Sequence, residues 1–423
     1  MMTMILFCFS FEQKLFAADP AIPELYAEAA VLMDAATGQV LYGKNEHQLM
    51  EPASLTKIMT CLLSARLEDP EVLLTVSEEA VKDMEESSTM DVTAGETLML
   101  RELLYGLMLP SANDAANVIA EHFSGNNTAF AALMNETAIQ LGLYDTIFAN
   151  PHGLPDENHL STAYDLAKLT REAITEPDFM AYAGAAEYSI DKTETHEAYD
   201  LRHTHFMLQK KSKYYDERVI AGKTGWTPGA GTCLMTVAEE NGLQLIAIVL
   251  KSDAEDIRYV AYQDVKALLD YGFSAFTRGE VSVTGFSGYP VSFYEADGTV
   301  RRGTIDSEAM HFQPLIPQGC SSENIFLMVP QQKQLQNRER IPVTAAVTFR
   351  GEDGEIWPWA LAEVPVELKL MELPKVSSSE PEERPVMAVT KSENKEEFPL
   401  IGAAVLCVVL LISMLLNRKK SRK

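Results

Sequence analysis

The chain has 423 residues, of which 47% are hydrophobic and 23% charged, a balance that suits folded domains and excludes wholesale disorder. Its formal net charge of −26 argues against nucleic acid as a partner, because phosphate backbones are held by clustered Lys and Arg. The length exceeds one ordinary domain, so two domains with appendages are expected.

Residues 1–20 read as a signal-like segment. The stretch 4–10 is apolar and Leu15-Phe-Ala-Ala18 resembles a small-residue cleavage site, although the usual basic start is missing. Segments 30–34 and 39–42 flank Thr37-Gly38 as a hairpin. From Ser54 the period changes to helical, with Leu55, Ile58, Met59, Leu62 and Leu63 along one face. Further helices are expected over 98–108, 112–123, 128–141 and 163–174, then strands over 232–237 and 243–250 and a last helix over 257–273. A hairpin, a helical block, paired strands and a closing helix make an α+β domain spanning 22–276. Short strands with Asp297-Gly298 and Asp353-Gly354 turns then suggest a small β-rich domain over 279–371. Residues 373–396 have the composition of a disordered stalk.

The 18 uncharged residues 399–416 would span roughly 27 Å as a helix, close to a bilayer core of ~30 Å. Arg418, Lys419, Lys420, Arg422 and Lys423 follow in the tail 417–423. This pattern predicts a C-terminal transmembrane helix with a cytoplasmic tail and the body outside. The five cysteines (Cys8, Cys61, Cys233, Cys320 and Cys407) show no C-x-x-C spacing, so neither a disulfide framework nor a zinc site is expected. His203-Thr-His205 could offer two ligands but no third; no metal and no cofactor are expected.

Three short motifs carry chemistry. Ser54-Leu-Thr-Lys57 opens the first helix just after Pro52, and three residues bring the two side chains to within about 60° of each other around the axis. A helix N-terminus favours a developing alkoxide on Ser54. Lys57 can act as base only if burial and a second cation lower its ordinary pKa of about 10.4, and Lys223 is the expected second cation. Ser111-Ala-Asn113 precedes another helix, where Ser111 could face Lys57 and Asn113 a substrate amide. In Lys223-Thr-Gly225, Lys223 and the Thr224 hydroxyl suit a carboxylate, and Gly225 lets a backbone approach closely. S-x-x-K alone says little, since Ser189-Ile-Asp-Lys192 and Ser392-Glu-Asn-Lys395 also fit it, as Ser322-Glu-Asn324 fits S-x-N.

With their flanks, these motifs resemble the serine D-alanyl-D-alanine carboxypeptidases, the low-molecular-mass penicillin-binding proteins. The resemblance rests on Pro52-Ala-Ser-Leu-Thr-Lys-Ile-Met-Thr60, Met108-Leu-Pro-Ser-Ala-Asn-Asp-Ala-Ala116, Asn150-Pro-His-Gly-Leu-Pro155 with His159-Leu-Ser-Thr-Ala163, and Ala221-Gly-Lys-Thr-Gly-Trp-Thr227. It implies the penicillin-binding-protein/β-lactamase-like transpeptidase fold and removal of the terminal D-alanine from peptidoglycan stem pentapeptides, with inhibition by β-lactams. It also implies Ser54 as nucleophile, Lys57 as base, Ser111 as proton relay, and the backbone N–H groups of Ser54 and Trp226 as an oxyanion hole. Two departures stand out: His203-Thr-His-Phe-Met-Leu208 where the family often has Asn-x-Asn-x-Leu-Leu, and Trp226 after Lys-Thr-Gly. Arg258 could add positive potential or be a plain surface residue. The rival readings are a DD-endopeptidase, a class A-like β-lactamase, for which no Glu-x-x-Leu-Asn is found between Asn113 and Lys223, and a catalytically silent wall-binding protein.

Overall fold

The computed structural model describes residues 3–6, 22–84, 87–254 and 259–283, and beyond them 286–294, 300–307, 310–318, 325–329, 340–349, 360 and 362–370. Residues Pro20–Phe276 form one compact unit; Thr277–Lys423 and Met1–Asp19 form another.

The first unit is built on a five-stranded antiparallel sheet, in the order Val40–Lys44, Ala29–Asp34, Leu243–Leu250, Gly231–Glu240, Val219–Thr227. The expected hairpin across Thr37-Gly38 is there, with Gly38 at φ +77° as the tight turn requires. The central strands are apolar at successive positions because both faces are covered. Val31, Met33, Ile246, Ile248 and Leu250 enter the helical core with Ile58, Leu62 and Leu166. On the opposite face Leu32 and Leu245 lie so close to Gly272 of the last helix that a Cβ there would fall 2.7 and 2.5 Å from them.

The helices are Lys57–Leu67, Leu100–Met108, Asn113–Ser124, Asn127–Gln140, Ala163–Ala173, Pro177–Gly184 and Ala261–Ala275. Their ends follow local chemistry. Gly125 at φ +79° stops one helix, and the Asn126 side chain accepts from Ala129 N to start the next. The closing helix begins at Ala261, four residues later than the period suggests. Helix Pro177–Gly184 and the ribbons Leu73–Thr75/Thr97–Met99 and Glu187–Ile190/Tyr199–Arg202 were not expected from the pattern.

In the second unit, the strands Phe286–Tyr294, Val300–Ser307, Ala362–Leu370, Arg340–Phe349, Ile325–Val329 and Thr3–Leu6 are neighbours in one antiparallel sheet. The stalk 373–396, the apolar run 399–416 and the basic tail 417–423 lie outside the described residues, as does the signal-like segment apart from 3–6. Among the described residues no helix is long and apolar enough to cross a membrane. Cys61 and Cys233 are buried free thiols, while Cys8, Cys320 and Cys407 lie outside the described residues.

Candidate active site

Ser54 sits in a single 3-10 turn, Ala53–Thr56, that runs straight into the helix Lys57–Leu67. Lys57 is fully buried, and its Nζ donates to Ser54 Oγ at 2.9 Å, Asn113 Oδ1 at 2.6 Å and the His152 carbonyl at 2.6 Å. Burial first, and then the charge of Lys223, hold this ammonium well below the usual lysine range, with Asp114 acting against them. The two carbonyl oxygens can only accept. In the neutral amine they therefore occupy both N–H bonds and leave the lone pair facing Ser54 Oγ. That is the geometry of a base waiting for a hydroxyl proton.

Ser111 lies in the turn between two helices at φ +68°, and Ala53 beside the nucleophile at φ +46°. Left-handed backbone at a non-glycine residue costs about 1–2 kcal/mol, so each of the two loops that deliver the serines carries backbone strain. The turn is held from behind by Asp114, which accepts from Met90 N and Val92 N, and by Asn113 N donating to Ser88 O at 2.7 Å. Lys223, also fully buried, donates to Ser111 Oγ at 2.8 Å and to Thr224 O at 2.8 Å. Burial lowers its pKa to about 7.

The partners differ from the sequence expectation in one respect. Ser111 meets Lys223, whereas it was expected to face Lys57, and Lys57 is met instead by Asn113 Oδ1. Gly225 lies against the nucleophile turn: a Cβ there would stand 3.1 Å from Ser54 N and 3.2 Å from both Ala53 Cβ and Pro52 O. Thr224 is half-buried, and its hydroxyl lies 2.6 Å from that of Thr204. Trp226 is 65% exposed. Arg258 lies outside the described residues.

A second group of residues supports the first and was visible in the sequence only as the Asn150-Pro-His-Gly motif. Three successive positions of this loop touch the start of the nucleophile helix. Pro151 O accepts from Thr60 Oγ1 at 2.6 Å, His152 O accepts from Lys57, and Gly153 packs on the Ala53 carbonyl. His159 Nδ1 accepts from Ala149 N, so its Nε2–H donates to Thr56 Oγ1 at 2.7 Å, which in turn donates to Ala53 O. Burial lowers the pKa of His159 to about 4 and that of His152 to about 3, so both rings are neutral at physiological pH. The Ser189-x-x-Lys192 match forms no such site. Ser189 Oγ donates to Asp200 and Lys192 pairs with Glu197, both on the surface.

His203 and His205 are buried behind the Lys223 strand. His203 Nε2 lies 3.1 Å from Gly222 O, and His205 Nε2 lies 2.9 Å from Thr236 Oγ1. Among the described residues no group of three or more His, Cys, Asp or Glu could hold a metal ion.

A buried lysine facing a serine at the head of a helix, flanked by a Ser/Asn turn and a Lys-Thr-Gly strand on an α+β scaffold, defines an active-serine acyl-transfer site of the penicillin-binding-protein type. The comparisons agree. The family model for D-alanyl-D-alanine carboxypeptidases matches residues 16–254, and the chain belongs to that family of serine peptidases. It is 36% identical to the D-alanyl-D-alanine carboxypeptidase DacD of Escherichia coli over 272 residues, 62% of this chain and 67% of that one. It is 33% identical to DacF of Bacillus subtilis over 255 residues, 59% of this chain. The match spans 63% of the length of DacF. The crystal structure of the Streptomyces K15 DD-transpeptidase superposes with a TM-score of 0.55 at 26% identity, covering 60% of this chain and all of that one.

Proposed function

We propose that this protein removes the terminal D-alanine from peptidoglycan stem pentapeptides through an acyl-enzyme, and that β-lactams trap it at the same step. The observation that carries this reading is the fully buried Lys57 amine 2.9 Å from Ser54 Oγ. Ser54 attacks the penultimate D-alanine carbonyl as its proton passes to Lys57. The oxyanion is met by the backbone N–H groups of Ser54 and Trp226, donors aimed at charge that appears only in the transition state. Ser111, hydrogen-bonded to Lys223, gives its proton to the nitrogen of the leaving D-alanine and takes in exchange the proton that Lys57 received from Ser54, so that Lys57 is neutral again. Lys223 supplies positive charge and Thr224 a hydroxyl for the terminal carboxylate. Water then hydrolyses the ester, with Lys57 again as base.

The body is proposed to work on the outer side of a bacterial membrane, tethered by the apolar run 399–416. That run is uncharged and is followed by five basic residues. The β-rich region 279–371 would act as a small all-β spacer and residues 1–20 as an export signal. Membrane sedimentation of the full chain, and its release on truncation after residue 398, would test the tether.

The function itself is tested by D-alanine release from a purified stem pentapeptide and by mass spectrometry after benzylpenicillin treatment. Release together with an adduct on Ser54, both abolished by Ser54→Ala, is the expected result. An adduct on another hydroxyl would overturn the mechanism. Cleavage of cross-linked dimers in preference to pentapeptides would replace it with an endopeptidase.

A further inference from the structure

We propose that Thr204 is a positioning residue for the substrate's terminal carboxylate, setting the direction of the Thr224 hydroxyl; this rests on the carboxypeptidase function proposed above. Lys223 is fully buried, and its Nζ is turned toward Ser111 Oγ and Thr224 O. Its charge therefore acts from behind the strand. Hydroxyls nearer the surface are left to make contact with a carboxylate: Thr224 is half-buried and Thr204 exposed.

Each of these hydroxyls has one hydrogen. Their oxygens are 2.6 Å apart, so one hydrogen lies between them. If Thr224 supplied it, none would remain there for a carboxylate. The hydrogen of Thr204 has two acceptors within reach, Thr224 Oγ1 at 2.6 Å and Leu109 O at 3.3 Å. In the substrate-free site it can go to Leu109 O, which also receives the Thr204 backbone N–H at 3.0 Å and has a lone pair for each. When a carboxylate takes the Thr224 hydrogen, the Thr204 hydrogen turns from Leu109 O to Thr224 Oγ1 and completes the chain. Donation from behind also polarises the Thr224 hydroxyl as a donor.

Thr204 can do this because it is fixed on both sides. His203 Nδ1 accepts from His205 N at 2.9 Å, which leaves His203 Nε2–H to hold the Gly222 carbonyl, one residue before Lys223. The His205 ring occupies the space that a Cβ on Gly222 would need, 2.6 Å from the ring. Burial keeps both imidazoles neutral, with the pKa of His205 lowered to about 3. Tyr262 OH donates to Thr204 O at 3.3 Å. Thr204 thus ties the loop before Ser111 to the strand that carries Lys223, at the end of the cleft where a carboxylate would sit.

The test uses the full chain and two peptides ending in D-Ala-D-Ala, one with a free carboxylate and one with a C-terminal carboxamide. Thr204→Val keeps the side-chain shape and the backbone bond to Leu109. It should raise KM for the carboxylate peptide about tenfold, the worth of roughly one hydrogen bond of ~1.4 kcal/mol, with kcat within about twofold. Turnover of the carboxamide should not change, and Thr204→Ser should restore the lower KM. Thr204→Ala carries the same expectation if the valine variant folds poorly. Equal losses on both peptides, a loss confined to kcat, an unchanged KM, or a serine variant that fails to restore it would each overturn the assignment. A wild-type protein that releases no D-alanine would instead refute the underlying function.

Discussion

Replacing Gly153 by alanine probes how the Asn150-Pro-His-Gly loop governs the nucleophile. Gly153 has φ +87°, and its added Cβ would fall 1.9 Å from Ala53 O, 2.4 Å from Ala53 C and 2.9 Å from Thr56 Oγ1. Carbon and oxygen need over 3 Å, so loop and turn must separate by about 1 Å or more. Left-handed backbone costs alanine about 1–2 kcal/mol, and overpacking of this kind another ~1–3 kcal/mol. A total of roughly 2–5 kcal/mol should lower the melting temperature of a unit this size by about 5–15 °C. The adjacent His152 carbonyl, which orients Lys57, must move with the loop. Misplacing a catalytic group by 1 Å costs about 100-fold in rate, so acylation by a fluorescent penicillin should slow by about that factor in stopped-flow measurements at a temperature where the variant is folded. A variant that melts early but acylates at the wild-type rate would refute the link between loop and lysine. One that melts normally would refute the packing argument itself.

Asn113→Leu removes one of the two carbonyl acceptors that aim the Lys57 lone pair; acylation should fall about 10–100-fold, the worth of a hydrogen bond to a group that becomes charged, measured as the second-order rate with penicillin. Lys223→Gln deletes a charge that helps keep Lys57 neutral, so the acid limb of the acylation rate should move to higher pH. In the wild type, Lys223 loses its charge as pH rises through about 7, and KM for peptides with a free carboxylate should climb above that point while the carboxamide is unaffected. His159 has an ordinary pKa of 6.5 and a folded value of about 4. As pH falls below 6.5 the unfolded chain takes the proton first, so stability is full above that value and drains away between 6.5 and 4. At about 1.4 kcal/mol for each tenfold in proton affinity, His159 alone should cost roughly 2 kcal/mol by pH 5. Denaturant midpoints at pH 7 and 5 would show it, and His159→Gln should flatten the slope.

Elements with a clear period were legible in the sequence. The hairpin, the helix after Ser54 and the strand Leu243–Leu250 follow from alternation or from the i, i+3, i+4 spacing of apolar residues. Helix Pro177–Gly184 escaped because eight residues hold barely two turns of pattern, and the ribbon Leu73–Thr75/Thr97–Met99 because three-residue strands have none. The strand Val219–Thr227 is broken as a pattern by Gly222, Lys223 and Gly225, the residues its chemistry requires. Residue type and spacing revealed Ser54 facing Lys57 and Lys223 as the nearby cation, but could not say that Ser111 would face Lys223 and Asn113 would face Lys57. The left-handed turn at Ser111 and the long-range approach of the Asn150 loop decide that. His152 contributes through its carbonyl, which no side-chain argument could have found.

The strand Val219–Thr227 is outermost in its sheet. An open rim of main-chain donors and acceptors is elsewhere an invitation to aggregation; here the Gly222 and Thr224 carbonyls are taken by His203 and Lys223, and helix Pro177–Gly184 packs on the carbonyl of Ile220. On the proposed function, only the last residues of the strand, from Gly225 beside Ser54, would be left for an extended peptide to pair with as a sixth strand. Selectivity would then lie in backbone handedness and in the chain end, leaving the protein tolerant of variation further along the peptide.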